Sequence, residues 1–286
     1  MSTPPVPESA LIPTAAPGLR LRGTPIAVLA VLVVIILVGP FFAPYSPTAP
    51  VGVPFALPGR WPPLGTDDLG RDVLSRLLDG GRPMLLTSLA GAVLGSLIGA
   101  VVGLSAALLG ARKGRRDRWA EAVVLRPFDA VAALPPMLVL LLVLTSLPAR
   151  AGIVLAVAVT SAPLSARVLR AAAAPVVARA HVEAAMARGE STAWLLGREV
   201  LPLVAGPLAA DAGLRLVSAV YLATAAGFLG IGASGSDWGT LIVQALPGAE
   251  LQPVALAAPV LGVALLTITV NLVADDLIRR SRAVLG

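Results

Sequence analysis

The stretch PMLLTSLAGAVLGSLIGAVVGLSAALLGA, residues 83–111, carries no charged side chain and decides the fold class. A helix needs about 20 mostly apolar residues to cross the hydrocarbon core of a bilayer, so this stretch is long enough. Glycines recur at every fourth position within it, which places them on one helix face: Gly91, Gly95, Gly99 and Gly103. Small residues let another backbone approach closely. We predict a membrane-spanning helix whose glycine face packs against a helix of this chain or of another, rather than lining a pore.

Five further uncharged runs are present in the chain. They occupy residues 24–59, 130–149, 151–166, 216–236 and 251–274. The mean hydropathy of +0.87 and the charged fraction of 13% place the chain outside the class of soluble proteins. The sequence therefore predicts an all-α integral membrane protein with six transmembrane helices.

Two of the runs need adjustment before they fit one helix each. The run 151–166 is short, but Arg150 and Arg167 can extend their charged ends toward the two interfaces. The first run is too long for one span, and the prolines that recur from Pro40 onward indicate that its helix ends near Ala43. The predicted segments are then a cytoplasmic N-terminal tail (1–24), a first transmembrane helix (25–44), an external loop (45–83), a five-helix core (84–278) that includes a cytoplasmic loop (175–202), and a cytoplasmic C-terminal tail (279–286).

The third predicted span begins beside charged residues and prolines. Pro135 and Pro136 should kink its helix or delay the regular part. Glu121, Arg126 and Asp129 precede these prolines. We expect Arg126 and Asp129 to form a buried ion pair, and the alternative is that they line a polar path.

Positive charge is distributed unequally between the loops. Arginines and lysines cluster at residues 20–22, 112–118, 167–198 and 279–282, whereas the segments on the other side hold only Arg60, Arg71, Arg76, Arg82 and Arg150. The positive-inside rule then places both termini in the cytoplasm. This location also explains the net charge of +6 without a nucleic-acid partner.

The external loop contains a segment with helical periodicity at residues 64–82. Its apolar residues include Leu69, Val73 and Leu77. We predict a short amphipathic helix that begins at Thr66 or Asp67, ends at Gly80 and Gly81, lies at the outer interface and leads into the second span. The acidic residues of this segment could suggest a cation site, but they alternate with arginines, so capping and local ion pairs are the preferred interpretation. The acidic residues are Asp67, Asp68, Asp72 and Asp79, and the arginines are Arg71, Arg76 and Arg82.

The stretch EAAMARGESTAWLLGREVLP, residues 183–202, interrupts the apolar chain on the predicted cytoplasmic side. Residues 175–188 can form a helix that Gly189 ends in the left-handed conformation. Ser191 or Thr192 can cap a second short helix through Val200, before Pro202 and the next span. The small side chains of the first helix suit close docking of a partner, and an ordinary amphipathic connector is the alternative.

Three motifs give the chain a resemblance to a known family. Glu183-Ala184-Ala185, with Gly189 and Leu201-Pro202, resembles the EAA loop of bacterial ABC-importer permeases. Leu64-Gly65-Thr66-Asp67 and the following LGRDVLSR (69–76) resemble the signature of the second permease subunit in dipeptide, oligopeptide and nickel importers. GFLGIG (227–232) and DWG (237–239) are similar to that subunit's SFLGLG and SWG segments. The resemblance extends from about residue 25 to the C-terminus, with departures at Glu199, Leu203 and Ala223.

The resemblance implies a MetI-like permease of the bacterial inner membrane. It implies a homologous permease partner, two ATPase subunits that carry ATP and Mg, and an external substrate-binding protein. The implied ATPase-coupling residues are Glu183, Ala184, Ala185, Arg188 and Gly189, and the implied external signature residues are Asp67, Gly70, Arg71 and Asp72. The expected substrates are di- or oligopeptides, with nickel or another small solute as the alternative.

The chain itself lacks the motifs of an enzyme or a nucleotide-binding protein. It contains no cysteine, a single histidine (His181) and no GxxxxGK[ST] loop, so any ATP must be bound by another polypeptide. We expect no cofactor or metal in this chain, and His181 to be a helix-surface residue. An intramembrane enzyme is disfavoured because catalytic pairs are missing, and a self-sufficient secondary transporter or channel remains the rival.

Asp211 and Arg215 are two charges within the fifth predicted span. Their spacing of four residues lets them pair with each other on one helix face. Charges within a membrane also commonly mark a translocation path. Both possibilities stay open from the sequence.

Overall fold

The computed structural model describes residues 24–111 and 115–285. The predicted N-terminal tail up to residue 23 and the basic residues Arg112 and Lys113 lie outside them. The described helices are α1 (Thr24–Val38), α2 (Val73–Ala111), α3 (Arg115–Ala132), α4 (Pro136–Leu144), α5 (Ala149–Val177), α6 (Ala180–Ala187), α7 (Thr192–Trp194), α8 (Leu201–Phe228), α9 (Trp238–Ala245) and α10 (Pro253–Leu285).

Within the described residues, five helices are long and apolar enough to cross a membrane. They are Thr24–Phe42, Val73–Ala111, Ala149–Val177, Thr192–Phe228 and Pro253–Arg279. The sixth candidate is the pair α3 and α4, which passes the same test only as one span bent by 87°. The bend lies at Pro135 and Pro136, because a proline removes a helix hydrogen bond and restricts the residue before it. The six-span, all-α prediction is confirmed when the bent pair counts as one span.

The glycine face of α2 packs against α5, as the fourfold spacing predicts. A Cβ atom built at Gly91 would lie 2.7 Å from side-chain carbons of Val157, and one at Gly95 would lie 2.7 Å from Cβ of Ser161. Larger residues would therefore push the two helices apart. This pair forms the centre of the bundle within a single chain.

The predicted start and end of the amphipathic helix in the external loop are wrong. Residues 64–72 form turns and isolated bridges, and α2 begins at Val73 and continues without interruption through Gly80, Gly81 and Pro83 to Ala111. The glycines are needed for another purpose. A Cβ atom at Gly80 would collide with the carbonyl oxygen of Ser236, and one at Gly81 would lie 2.9 Å from the Trp238 ring. The two glycines leave room for Ser236 and Trp238 at the start of α9, which lie far along the chain.

The charged residues of α3 also pair differently from the prediction. Asp129 accepts a hydrogen bond from Arg167 of α5 at 2.7 Å, and Glu121 accepts one from Arg170 of α5 at 2.7 Å. The predicted Arg126–Asp129 pair is therefore wrong, since the carboxylate of Asp129 meets an arginine of another helix. Both side chains of the Asp129–Arg167 pair are about half exposed rather than buried.

Candidate functional site

Helix α6 is a short surface helix whose inner face is anchored in a hydrophobic cluster. Val182 and Ala185 are fully buried and belong to a hydrophobic cluster that also contains residues of α2, α5, α8 and the Leu195–Val200 turn. Fully burying a valine side chain contributes roughly 1.5–3 kcal/mol relative to leaving it exposed. The cluster contains Leu104 and Leu108 of α2 and Val177 of α5, among others. Displacing α6 must therefore displace the ends of the long helices on which it packs.

The outer face of α6 is exposed and carries both charge and small side chains, with Arg188 Nε 3.9 Å from Glu190 Oε1. Glu183, Ala184, Ala187 and Arg188 are exposed. Glu183 lies in the first turn, where the helix dipole favours a negative charge. Of the predicted coupling residues, Ala185 alone is fully buried, so it anchors the helix and the others face outward.

Gly189 ends this helix in the left-handed conformation, with φ of +82°. The amide of Gly189 donates to the carbonyl of Met186 at 3.0 Å, and the amide of Glu190 donates to that of Ala185 at 3.3 Å. These two bonds form a Schellman motif, and the conformation costs a residue with a Cβ atom free energy that glycine avoids. The predicted helix stop at Gly189 is confirmed. The predicted helix 175–188 is instead divided, because α5 ends at Val177 before α6 begins at Ala180.

The chain returns to the membrane without the predicted break at Pro202. The side chain of Ser191 accepts a hydrogen bond from the amide of Trp194 at 3.3 Å and caps α7, as predicted. Residues Leu195–Val200 then form a π-helical turn that continues into α8. Pro202 has no N–H and its ring would clash with the carbonyl four residues earlier, and the wider turn accommodates it.

His181 lies on the surface as predicted, with Nε2 3.7 Å from Glu199 Oε2.

At the Val73 end of α2, Asp67, Arg71, Arg76 and Gln244 form a network that we call the loop clamp. Arg76 is 1% exposed and Asp67 is 5% exposed. Asp67 Oδ2 accepts hydrogen bonds from Arg76 Nη1 and, at 2.7 Å, from Arg71 Nε. Arg76 also donates to Gln244 Oε1 at 2.8 Å and to the Gly235 carbonyl at 2.5 Å. The clamp joins the 45–72 loop to the segment that contains α9.

The remaining signature residues shape the turn before α2. Asp72 Oδ2 accepts hydrogen bonds from the amide of Ser75 at 2.8 Å and from its hydroxyl at 2.6 Å, which caps α2. Thr66 is buried and donates to the Val53 carbonyl at 2.6 Å. Gly70 has φ of +75°, and a Cβ atom there would collide with the Gly52 carbonyl. The preferred interpretation of capping and local ion pairs is confirmed for Asp67, Asp68 and Asp72, since Asp68 pairs with Arg71 at 3.2 Å.

The GFLGIG and DWG segments form the other side of this junction. Trp238 is buried and donates from Nε1 to the Leu77 carbonyl at 2.9 Å. Asp237 Oδ2 accepts the amide of Ser234 at 2.7 Å. Burial raises the pKa of the Asp237 carboxyl above its ordinary value, although hydrogen bonds from Ser234 and the positive charge of Arg150 act in the opposite direction.

Asp211 and Arg215 pair with each other inside the bundle. Arg215 Nε lies 3.3 Å from Asp211 Oδ1, and the hydroxyl of Ser165 in α5 donates to Asp211 Oδ2. Asp211 is buried, and the side chain of Arg215 is 11% exposed. The structure thus brings the two predicted residues together, and it adds Ser165, which the sequence analysis missed because it lies on a different helix.

A wide groove between α8 and α10 was also missed. It has a volume of about 520 Å³ and includes four polar side chains, Tyr221, Thr224, Thr267 and Asn271, among apolar ones. Tyr221 is 65% exposed, and Asn271 is exposed on α10. Threonines and a tyrosine do not by themselves indicate a binding surface in a single sequence. These side chains come together only when α8 and α10 pack.

The family of the chain follows from comparison with known proteins. Residues 99–282 match the family described as "Binding-protein-dependent transport system inner membrane component". The chain belongs to this family. It is therefore a multi-pass inner-membrane permease of a binding-protein-dependent ABC importer, and partner ATPases hydrolyse the ATP. The rival interpretations as an intramembrane enzyme or a self-sufficient carrier do not hold.

Several relatives of this permease are curated peptide transporters. It is 33% identical to the di/tripeptide transport system permease protein DppC of Pseudomonas aeruginosa, over 84% of this chain and 80% of that protein. It is 30% identical to the dipeptide transport system permease protein DppC of Haemophilus influenzae, over 90% of this chain and 88% of that protein. A glutathione transport system permease protein, GsiD of Pectobacterium atrosepticum, is 29% identical over 75% of this chain and 70% of that protein.

The fold of the permease is also that of a solved transporter. An inward-facing structure of the MetNI methionine ABC transporter superposes with a TM-score of 0.60 and 18% identity. The match covers 72% of this chain and 96% of the solved chain. The predicted MetI-like fold is confirmed.

Proposed function

We propose that this permease carries di- or oligopeptides and that α6 is the helix through which an ATPase subunit moves it. The peptide assignment rests on the names of its relatives, which are dipeptide, tripeptide and glutathione permeases. We place both termini in the cytoplasm by the distribution of arginines, so α6 lies on the ATPase side. A homologous permease subunit completes the path, two ATPase subunits hold ATP and Mg, and an external protein delivers the substrate.

The observation that carries the coupling role is the contrast between the two faces of α6. Val182 and Ala185 anchor the inner face in the bundle, while Glu183, Ala184 and Arg188 are open to a partner. A rigid helix with this arrangement transmits a push on its outer face to α5 and, through the Leu195–Val200 turn, to α8. The packed bundle is the element with two arrangements, and ATP-driven closure of the ATPases biases it through α6.

The loop clamp and the turn before α2 have a different proposed role. Asp67, Gly70 and Asp72 are buried, so they cannot contact an external binding protein directly. We propose that they hold the 45–72 loop in the shape that the binding protein meets. Leu69, which is exposed at the surface of the same turn, is placed for that contact.

We propose that Asp211 and Arg215 lock α8 to α5 rather than line the path. Each finds its partner inside the bundle, and a buried pair needs no transported solute to satisfy its charges. The α8–α10 groove is the better path surface, because an exposed asparagine at membrane depth is costly against lipid and favours water or a partner subunit.

The test of the coupling role is reconstitution of the assembled transporter in liposomes. Glu183→Ala should reduce peptide-stimulated ATP hydrolysis and uptake together while leaving assembly intact. Glu250→Ala is the matched control, since Glu250 is an exposed glutamate in the segment between α9 and α10, away from α6, and the change should leave both rates near the wild-type values. Normal coupling in the Glu183 variant would refute the role of this residue.

The substrate assignment has its own test. Uptake driven by the cognate binding protein should be stimulated by a dipeptide and unaffected by nickel. Stimulation of ATP hydrolysis by nickel, without any response to peptides, would overturn the peptide proposal and leave the coupling proposal untouched.

The path proposal is tested by two sets of substitutions. Asn271→Leu in the groove should lower uptake with normal assembly. The double variant Asp211→Asn with Arg215→Gln removes both charges but keeps an acceptor for Ser165, and it should retain transport if the lock is the only role. Loss of transport in an assembled complex of this variant would assign these residues to the path.

A further inference from the structure

Three adjoining hollows follow one face of α2 from its Val73 end toward the middle of the helix. The first is polar, has a volume of about 410 Å³, and is lined by Asp79, Arg82, Arg150 and Ser234 among others. The second is apolar, also about 410 Å³, and shares Leu86, Thr87 and Arg150 with the first. The third is apolar, about 230 Å³, and shares Leu94 and Leu155 with the second. Because each hollow shares lining residues with the next, they form one surface, which we call the α2–α5 groove.

The polar end of the groove presents two guanidinium groups to an anionic ligand. Arg82 and Arg150 line it with one carboxylate, Asp79, and Arg150 also attracts the carboxyl of Asp237, which accepts a hydrogen bond from Ser234. Both arginines are exposed. Arg150 uses Nε to reach the Ala233 carbonyl at 3.2 Å, and Arg82 lies 5.9 Å from the centre of the Phe41 ring. Guanidinium groups suit phosphate oxygens, to which they donate charge-assisted hydrogen bonds.

The apolar part of the groove has the dimension of one leaflet. Leu86 and Ile98 mark its ends on α2, and twelve residues at 1.5 Å each span about 18 Å. Half of a hydrocarbon core about 30 Å thick is about 15 Å. The walls include Ala90, Val154 and Leu155, and the small side chain of Ala90 leaves the groove open at its middle.

We propose that the α2–α5 groove binds an anionic glycerophospholipid, with the phosphate between Arg82 and Arg150 and one acyl chain along Leu86, Ala90 and Leu94. Charge at one end and an apolar furrow of leaflet length fit an amphipathic lipid. A free anion would leave the furrow empty, and an apolar helix of a partner would leave the polar end of the groove unoccupied. The lipid belongs to the leaflet at the Val73 end of α2, which is the outer one in the orientation proposed above.

The consequence for transport is mechanical. The groove runs along the seam between α2 and α5, because Val154, Ala158 and Ala162 of α5 both line it and face the glycines of α2. A bound lipid therefore supports the contact between these two helices from outside.

The experiment uses the assembled transporter in detergent and measures binding of phosphatidylglycerol by native mass spectrometry. Dioleoylglycerol, which lacks the phosphate, and inorganic phosphate alone are the comparison probes. The variants are Arg82→Gln with Arg150→Gln, and Ala90→Trp, which fills the furrow. The matched controls are Arg60→Gln, an exposed arginine outside the groove, and Ala257→Trp, an exposed alanine of α10.

Wild-type protein should retain phosphatidylglycerol at least about tenfold more tightly than dioleoylglycerol, because the guanidinium groups donate charge-assisted hydrogen bonds to its phosphate. The double arginine variant should lose this preference, Ala90→Trp should lose the lipid, and both controls should keep it. Equal binding to the wild type and the double arginine variant would overturn the proposal. So would full competition by inorganic phosphate, or loss of subunit assembly in Ala90→Trp, which would assign the furrow to a partner.

If Ala90→Trp does not fold, the exposed arginines still decide the question. Their side chains line the polar end without entering the core, so the double variant tests the phosphate contact separately.

Discussion

The loop clamp and α6 carry charged motif residues of the same kind but use them in opposite ways. In the clamp, Asp67 and Arg76 are buried and satisfy each other. In α6, Glu183 and Arg188 are exposed, and the anchoring residues are the apolar Val182 and Ala185. A charged motif therefore does not by itself indicate a contact surface. Burial separates residues that hold a surface in place from residues that form it.

The largest effect should come from breaking the clamp. Arg76→Met leaves the buried carboxylate of Asp67 with less compensation, and removing one partner of a buried ion pair costs about 3–5 kcal/mol. We expect a lower midpoint of thermal unfolding in detergent, with poor assembly. Arg60→Met, on an exposed arginine, is the control. If the Arg76 variant is stable and loses only the stimulation of ATP hydrolysis by the binding protein, the clamp is itself a contact surface, which contradicts the comparison.

Gly80, near the loop clamp, should tolerate substitution by alanine less well than Gly197, near α6. At Gly80 a Cβ atom would collide with the Ser236 carbonyl, whereas at Gly197 it would meet nothing within 4 Å. Gly80→Ala should destabilise the protein by about 1–3 kcal/mol through overpacking. Gly197→Ala should leave the unfolding midpoint unchanged or raise it slightly, because alanine favours the helix. Equal midpoints would show that the approach of the Ser236 segment is not tight.

Neighbouring alanines of α6 should separate anchoring from docking. Ala185→Leu forces extra volume into the buried cluster and should lower stability by about 1–3 kcal/mol. Ala184→Leu should leave stability unchanged and reduce association with the ATPase subunits, because Ala184 lies on the outer face. Unfolding midpoints and co-purification of the ATPase measure the two effects. The same phenotype in both variants would contradict the division of faces.

Asp237 should give the smallest effect, which depends on pH. Because burial raises its pKa, the folded state binds more protons than the unfolded state between the ordinary pKa of 3.8 and the raised value. Stability contributed at this site therefore falls as pH rises through that window and stays lower above it. Asp237→Asn should remove this slope from unfolding midpoints measured across acidic pH. An unchanged slope would place the titration elsewhere.

Sequence reasoning succeeded where the cause is local. The spacing of Gly91 to Gly103 predicts a packed face because helix periodicity alone determines it. Gly189 and Ser191 predict a helix stop and a cap because turn and cap chemistry acts within a few residues. These elements gave the spans and the position of the candidate coupling loop.

The errors arose where the cause lies far along the chain. Gly80 and Gly81 suggested a helix end, but they accommodate Ser236 and Trp238, which are more distant in sequence than any local pattern can register. The sequence suggested that Asp129 pairs with Arg126, three residues away, but Asp129 pairs with Arg167 on another helix. The groove with Tyr221 and Asn271 likewise exists only after α8 and α10 pack.

The central claim, that the outer face of α6 meets an ATPase subunit, is tested most directly by cross-linking. The chain contains no cysteine, so one introduced thiol is unique within it. In the assembled transporter, Ala184→Cys should form a cross-link to the ATPase with a short reagent that bonds the thiol at one end and is photoreactive at the other, and the yield should change with ATP. Ala185→Cys, on the buried face, should not. Cross-linking from position 185 but not 184, or from neither position in an active complex, would contradict the account.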